Sequence, residues 1–329
     1  MSTRIAAAIL MATTFVHGYT VLDHDQFMTK NIDPIVLPGK YMSHMHSFFG
    51  SDSIANDMPT SAALQKGCYS GDNANDLSVY WIPTLYYANK DKYTEVKPYR
   101  FSTYYNNILY AEIPFPQNFY AVAGNAKATR QSDVAFNDNG MSWWCENDPA
   151  ETTKDGAKFP TKTCSTHLQT ILRFPDCVNV NDMSKNAYSS SSYENKNYCP
   201  TGMKRIPQLR FSVRYDLRKI IPGGWSGKAP LKLACGEIGE GYCFHGDFIN
   251  GWFEDALKNM MTKASDKKDF VRVNGSHGNS AKKSSCKPKD ADPSHGTSDY
   301  ATSVHMMNGK RDLNAARESF VERRPPPIY

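Results

Sequence analysis

The chain has 329 residues, a net charge of +5 with acids and bases interleaved, and no zinc-finger spacing or aromatic RNA-binding motif, which together argue against a nucleic-acid partner. Its 19 Tyr and 16 Phe, in a Ser- and Asn-rich background, suit a β-rich exported protein better than a helical cytosolic one. That length is enough to bury a sizeable core.

The first predicted element is a leader. Arg4 is followed by an apolar run over Ala6–Val16, too short to span a bilayer, and cleavage is placed near Gly18, giving a signal peptide over 1–18. No later segment approaches the apolar length of a membrane span, so a secreted, extracellular chain without an anchor is expected. The next thirty residues carry turn punctuation at Asp33-Pro34 and Pro38-Gly39. The stretch SVYWIPTLYY (78–87) has strand composition, and Pro83 within it predicts an edge strand or a bulge. Shorter strands are predicted at Phe101–Tyr105, Phe119–Gly124 and His167–Phe174. The clearest strand is QLRFSVRYDL (208–217). Leu209, Phe211, Val213, Tyr215 and Leu217 alternate with Arg210, Ser212, Arg214 and Asp216. Leu231–Ala234 is one more. A helix is predicted from Trp252, with Ala256, Leu257, Met260 and Met261 on one side.

Residues 179–198 read as a polar surface loop, and 264–329 as a polar, loosely ordered C-terminal extension. The expected fold is β-rich: a single antiparallel β-sandwich-like domain over 19–263, monomeric, with a few short helices and stabilised by disulfides. Its eight cysteines lack CxxC spacing, which favours disulfides over structural zinc in an oxidising compartment; 105 pairings stay open.

Two stretches carry candidate chemistry. SHMHSFFG (43–50) places His44 and His46 two apart, and GYCFHGDFINGW (241–252) places His245 and Asp247 two apart. In extended backbone, residues two apart share a face. Each pair can then line a polar cleft for proton transfer or supply metal ligands.

DPIVLPGKYMSHMHSFFG (33–50), YWIPTLYY (80–87), LRFPDC (172–177), IPQLRFSVRYD (206–216) and GYCFHGDFINGW resemble, in order, the signature blocks of one secreted family of fungi and oomycetes. It is known as domain of unknown function nineteen-ninety-six. The resemblance spans about residues 23–260. The family's paired-histidine block falls on His44 and His46. Its histidine-acid-aromatic block falls on His245, Asp247, Phe248, Asn250, Gly251 and Trp252, and its Asp-Pro-Ile-Val start on Asp33–Val36. Before that Asp, this chain has Asn31-Ile32 where the family carries an arginine. The resemblance implies an extracellular, cell-wall-related role and names no reaction.

Three functions are open at this point. In the first, the chain is a hydrolase or lyase of an extracellular polysaccharide. Asp247 is then the general acid or base, Asp33 the second carboxylate, and His44, His46 and His245 move protons or position substrate. Trp252, Asn250, Tyr80 and Trp81 would contact the sugar. In the second, His44, His46, His245 and Asp247 hold a divalent metal such as Zn²⁺ or Cu²⁺. A special version of that reading uses His17 as a mature N-terminal ligand. In the third, the chain binds glycan or cell wall without catalysis. Serine- or cysteine-nucleophile chemistry lacks its Gly-x-Ser-x-Gly motif and a free thiol.

Overall fold

A computed structural model describes residues 20–134, 141–149, 156–189, 199–262, 273–278 and 284–308. The expected signal peptide and His17 lie outside them. Among the described residues, no helix is long and apolar enough to cross a membrane.

The chain begins with β1 (Thr20–His24), β2 (Met28–Lys30) and β3 (His46–Gly50), followed by a one-turn helix α1 (Ser61–Leu64) capped by the Thr60 side chain. Next come β4 (Val79–Pro83), β5 (Leu85–Asn89), β6 (Lys92–Val96), β7 (Arg100–Asn106) and β8 (Tyr120–Gly124). Then follow β9 (Ser142–Cys145), β10 (Leu168–Arg173), β11 (Cys177–Val178), β12 (Asn186–Ala187) and β13 (Lys204–Arg205). The last elements of this run are β14 (Gln208–Tyr215), β15 (Leu231–Leu233), β16 (His245–Ile249) and the helix α2 (Glu254–Thr262).

Two five-stranded sheets form the body, in the orders β1-β7-β14-β10-β9 and β2-β3-β4-β16-β8, and every strand pair in them is antiparallel. The expected β-rich antiparallel class is therefore what the chain adopts. Two three-stranded sheets, β15-β5-β6 and β12-β11-β13, flank the body.

Alternation builds the core. Phe49, Tyr80, Ile82 and Phe248 of the second sheet meet Leu22, Phe101, Tyr105, Phe211 and Val213 of the first, all at most 1% exposed. Phe49 stacks on Phe101 at 3.9 Å between centroids. Gly246 permits the close approach: a Cβ there would lie 2.7 Å from Phe211 Cε2 and 2.9 Å from Leu172 Cδ2. The other face of the second sheet carries its own cluster, including Phe48, Val79, Trp81 and Ile249.

Pro83 departs from the sequence expectation. β4 is central, between β3 and β16, and not an edge strand. Pro83 is tolerated because it is the last residue of the strand, where the chain leaves for β5.

All eight cysteines are paired: Cys68–Cys286, Cys145–Cys164, Cys177–Cys199 and Cys235–Cys243. The first bridge ties residues 284–308 back onto the sheets. There the Lys30 ammonium donates to both Asp290 carboxylate oxygens at 2.8–2.9 Å, and Asn31 Oδ1 accepts from the Thr297 amide at 2.8 Å. Residues 300–308 are helical, and Tyr300 packs with Met45, Tyr86 and Ala234.

Candidate metal centre

β3 and β16 flank β4, and both present alternate residues to the outer face of the second sheet. His46 begins β3 opposite Pro83, while His245 begins β16 opposite Gly124, with Asp247 opposite Trp81 on the same face. His44 joins them from the turn just before β3. The two dyads, 199 residues apart in the chain, thus meet in one place.

Hydrogen bonds orient the rings. His46 Nδ1–H donates to the Ile32 carbonyl and His245 Nδ1–H to the Cys243 carbonyl, both at 2.8 Å. A carbonyl only accepts, so these bonds fix the proton on Nδ1 and leave each neutral ring with a lone pair on Nε2. Those Nε2 atoms stand 3.2 Å apart, and His44 Nε2 is also 3.2 Å from His245 Nε2. The ligand atoms of all three histidines lie within 4.8 Å of one another.

Two facing lone pairs cannot hydrogen-bond to each other. A cation between them turns the repulsion into coordination. Nitrogens held at about 2.0–2.1 Å by a tetrahedral ion stand about 3.3–3.4 Å apart, close to the two separations from His245. The charge environment agrees. Burial, then the neighbouring imidazoles, hold His44 and His46 far below the ordinary histidine range, and burial pushes His245 down to about 4. The rings are therefore neutral, as metal ligation requires.

Asp247 lies behind the rings. It is fully buried, one carboxylate oxygen is 4.0 Å from His245 Nε2, and neither oxygen has a hydrogen-bond partner. Burial, reinforced by the Asp33 charge, raises it well above the usual carboxylate range. A buried carboxyl without donors is costly; a divalent ion beside it would supply the missing counter-charge. Asp33 is 5% exposed, and its Oδ1 accepts from the amides of Ile35 and Val36 at 3.2 and 3.0 Å. It shapes the turn that delivers Ile32, whose carbonyl orients His46.

Four residues expected to touch a sugar are instead walls of the core. Tyr80, Trp81, Asn250 and Trp252 are each 0% exposed, so none offers a ring face or an amide to a ligand. Trp252 Nε1 donates to Tyr105 Oη at 2.8 Å, and Tyr80 Oη donates to Asp76 at 2.6 Å. Trp81 stacks on Phe48, and Asn250 ties a turn by accepting from the Trp252 amide at 3.1 Å. Large aromatics alternate along β-strands whether they face a core or a ligand, so composition did not separate the two roles.

Sequence reading also missed the carbonyls that orient the rings. A main-chain acceptor leaves no mark in the sequence. Only Cys243 left a trace, since its bridge to Cys235 fixes the loop whose carbonyl holds His245.

No curated protein and no solved structure matches this chain. A family model does match, over residues 33–252, and that stretch contains all three histidines and both carboxylates of the site. The chain therefore belongs to the family described as a domain of unknown function, DUF1996.

Proposed function

We propose that the chain is a secreted metalloprotein whose His44, His46 and His245 hold a transition-metal ion, with Asp247 completing the ligand set, and that this centre acts on an extracellular polysaccharide as a hydrolase or lyase. One observation carries the metal reading: His44 and His46 Nε2 each stand 3.2 Å from His245 Nε2, all three ligand atoms lie within 4.8 Å, and backbone carbonyls hold the proton of two of the rings on Nδ1. Three imidazoles and one carboxylate suit Zn²⁺ or Cu²⁺ better than Mg²⁺ or Ca²⁺, which prefer oxygen shells. A bound ion of this class supplies Lewis acidity and a water of lowered pKa.

The protein's own part is positioning. Ile32 and Cys243 aim two rings, and burial keeps the imidazoles unprotonated. His44 alone of the three is partly exposed, so substrate approaches from its side. Direct proton transfer from Asp247 to a glycosidic oxygen is disfavoured, because its carboxyl has no exposed surface. Four disulfides and the absence of a membrane-length apolar helix among the described residues support export. The test is elemental analysis of protein secreted without chelators and compared with His44→Ala/His46→Ala. A stoichiometric metal present in the first and lost in the second is expected. Wild type that stays metal-free after exposure to zinc and to copper ends the proposal. The loaded protein is then screened for product release from a polysaccharide panel.

A further inference from the structure

A second concave surface lies at the far end of β3. Residues 25 and 70 link it to that strand: the Asp25 amide donates to the Ser70 carbonyl and the Ser70 amide to the Gly50 carbonyl, both at 3.0 Å. Gly50 ends the strand that His46 begins, so this cleft is about 13 Å from the histidines. It encloses about 480 Å³ and is lined by Asp23, His24, Gln26, Asp72, Tyr99 and Arg100 among others. That volume falls within the range of small-ligand sites.

One exposed wall is a fixed aromatic ring. Tyr99 is 65% exposed, the largest fraction among the exposed large hydrophobic side chains of the described residues. It is nevertheless held. Its ring stacks on His167 at 4.6 Å and 9°. His167 Nδ1 pairs with Glu146 at 2.8 Å, and Glu146 pairs with Arg214 at 2.9 Å. The Tyr99 amide donates to the Arg214 carbonyl at 2.7 Å, so the backbone is fixed as well. A solvent-facing ring fixed by a stack, two ion pairs and a backbone bond serves no core packing.

The polar walls are also fixed in place. Arg100 forks onto Asp23 with two contacts of 2.9 Å, so the two charges cancel. Asp72 accepts from the Asp23 amide at 3.2 Å, and burial pushes its carboxyl up to about 7, so near neutrality it both donates and accepts. Behind the wall, the His24 ring is fully buried, with Nε2 bonded to Thr103 Oγ1 at 2.8 Å and Nδ1 packed against Gly71, so it backs the cleft without facing a ligand.

We propose that this cleft binds a neutral oligosaccharide, with one sugar ring against the free face of Tyr99 and hydroxyls bonded by Asp72 and Arg100. Sugar hydroxyls donate and accept, as do these walls, and the C–H face of a pyranose packs on an aromatic ring. Asp23 and Arg100 offset each other, while Asp25 adds a further carboxylate to the lining, so a cationic peptide is the competing ligand that the test includes. The site is separate from the histidine centre and stands whether or not that centre holds metal.

The test is calorimetric titration of the full chain with hexasaccharides of β-1,4-glucose, β-1,3-glucose, β-1,4-N-acetylglucosamine and α-1,6-mannose, and with hexalysine. Wild type is expected to bind at least one hexasaccharide and not hexalysine. Tyr99→Ala, on the surface and harmless to folding, is expected to weaken that binding at least tenfold, and Arg100→Ala at least threefold. Metal content measured on the same preparations reads the histidine centre independently. Absence of hexasaccharide binding, wild-type affinity in both variants, or hexalysine in place of sugar would each overturn the assignment.

Discussion

Removing one histidine should have unequal consequences with and without metal. In wild type at free zinc one hundred times the dissociation constant, binding adds about 2.7 kcal/mol to stability. For a chain of this size each kcal/mol moves the melting temperature by about 2–4 °C, so zinc should raise it by about 5–10 °C. Replacing His44 by Ala removes one of three nitrogens that stand 3.2–4.8 Å apart. Loss of a supporting partner alone typically weakens a metal site about 10- to 100-fold, and loss of a ligand does no less. At the same free zinc the shift then falls to about 1–5 °C. In chelator the effect is small. Among the described residues His44 Nε2 has His245 Nε2 as its one polar neighbour at hydrogen-bond distance, so His44→Ala relieves crowded nitrogens at a partly exposed position and should cost less than about 1 kcal/mol. The assay is thermal unfolding by circular dichroism across a buffered zinc series. An equal zinc shift in both proteins, or none in wild type with either zinc or copper, would refute the reasoning.

Three further outcomes are expected. Asp72 is pushed up to about 7 from an ordinary 3.8 by burial. Because the folded state holds this proton longer than the unfolded chain, the carboxyl costs stability progressively as pH rises from about 4 to 7. Asp72→Asn should therefore gain about 2–4 kcal/mol on wild type between pH 4 and pH 8 in urea unfolding, and a difference independent of pH would contradict the burial argument. Cys68–Cys286 closes 218 residues, so Cys286→Ser paired with Cys68→Ser should lower stability by up to about 5 kcal/mol and expose residues 284–308 to protease; a loss below about 1 kcal/mol would mean that the segment is held by its other contacts. Gly246→Ala presses a methyl between Phe211 and Leu172 and should cost about 1–3 kcal/mol, measured by chemical denaturation; a neutral result would show that the two sheets can part there.

The sequence by itself determined what depends on local spacing. Leu209, Phe211, Val213 and Tyr215 alternate with polar residues, which dictates a strand with one buried face, and β14 runs Gln208–Tyr215. The helix from Trp252 begins two residues later than its apolar spacing suggested, and Ala256, Leu257 and Met260 are its buried side. His44 and His46, like His245 and Asp247, were legible as pairs because a period of two places neighbours on one face. What spacing cannot carry is which face and which neighbour. Trp81 and Trp252 have the composition of a sugar platform and the burial of a core, since the same ring serves either role until a second layer covers it. Pro83 suggested an edge because its missing N–H is harmless there, yet a strand's last residue is just as permissive. Only the tertiary structure decided that β3 and β16 flank β4. That order brings His44 and His46 to 3.2 Å from His245, and two backbone carbonyls turn the free nitrogens of His46 and His245 toward each other. Convergence of this kind depends on sheet order and main-chain acceptors, neither of which is written in side-chain identity.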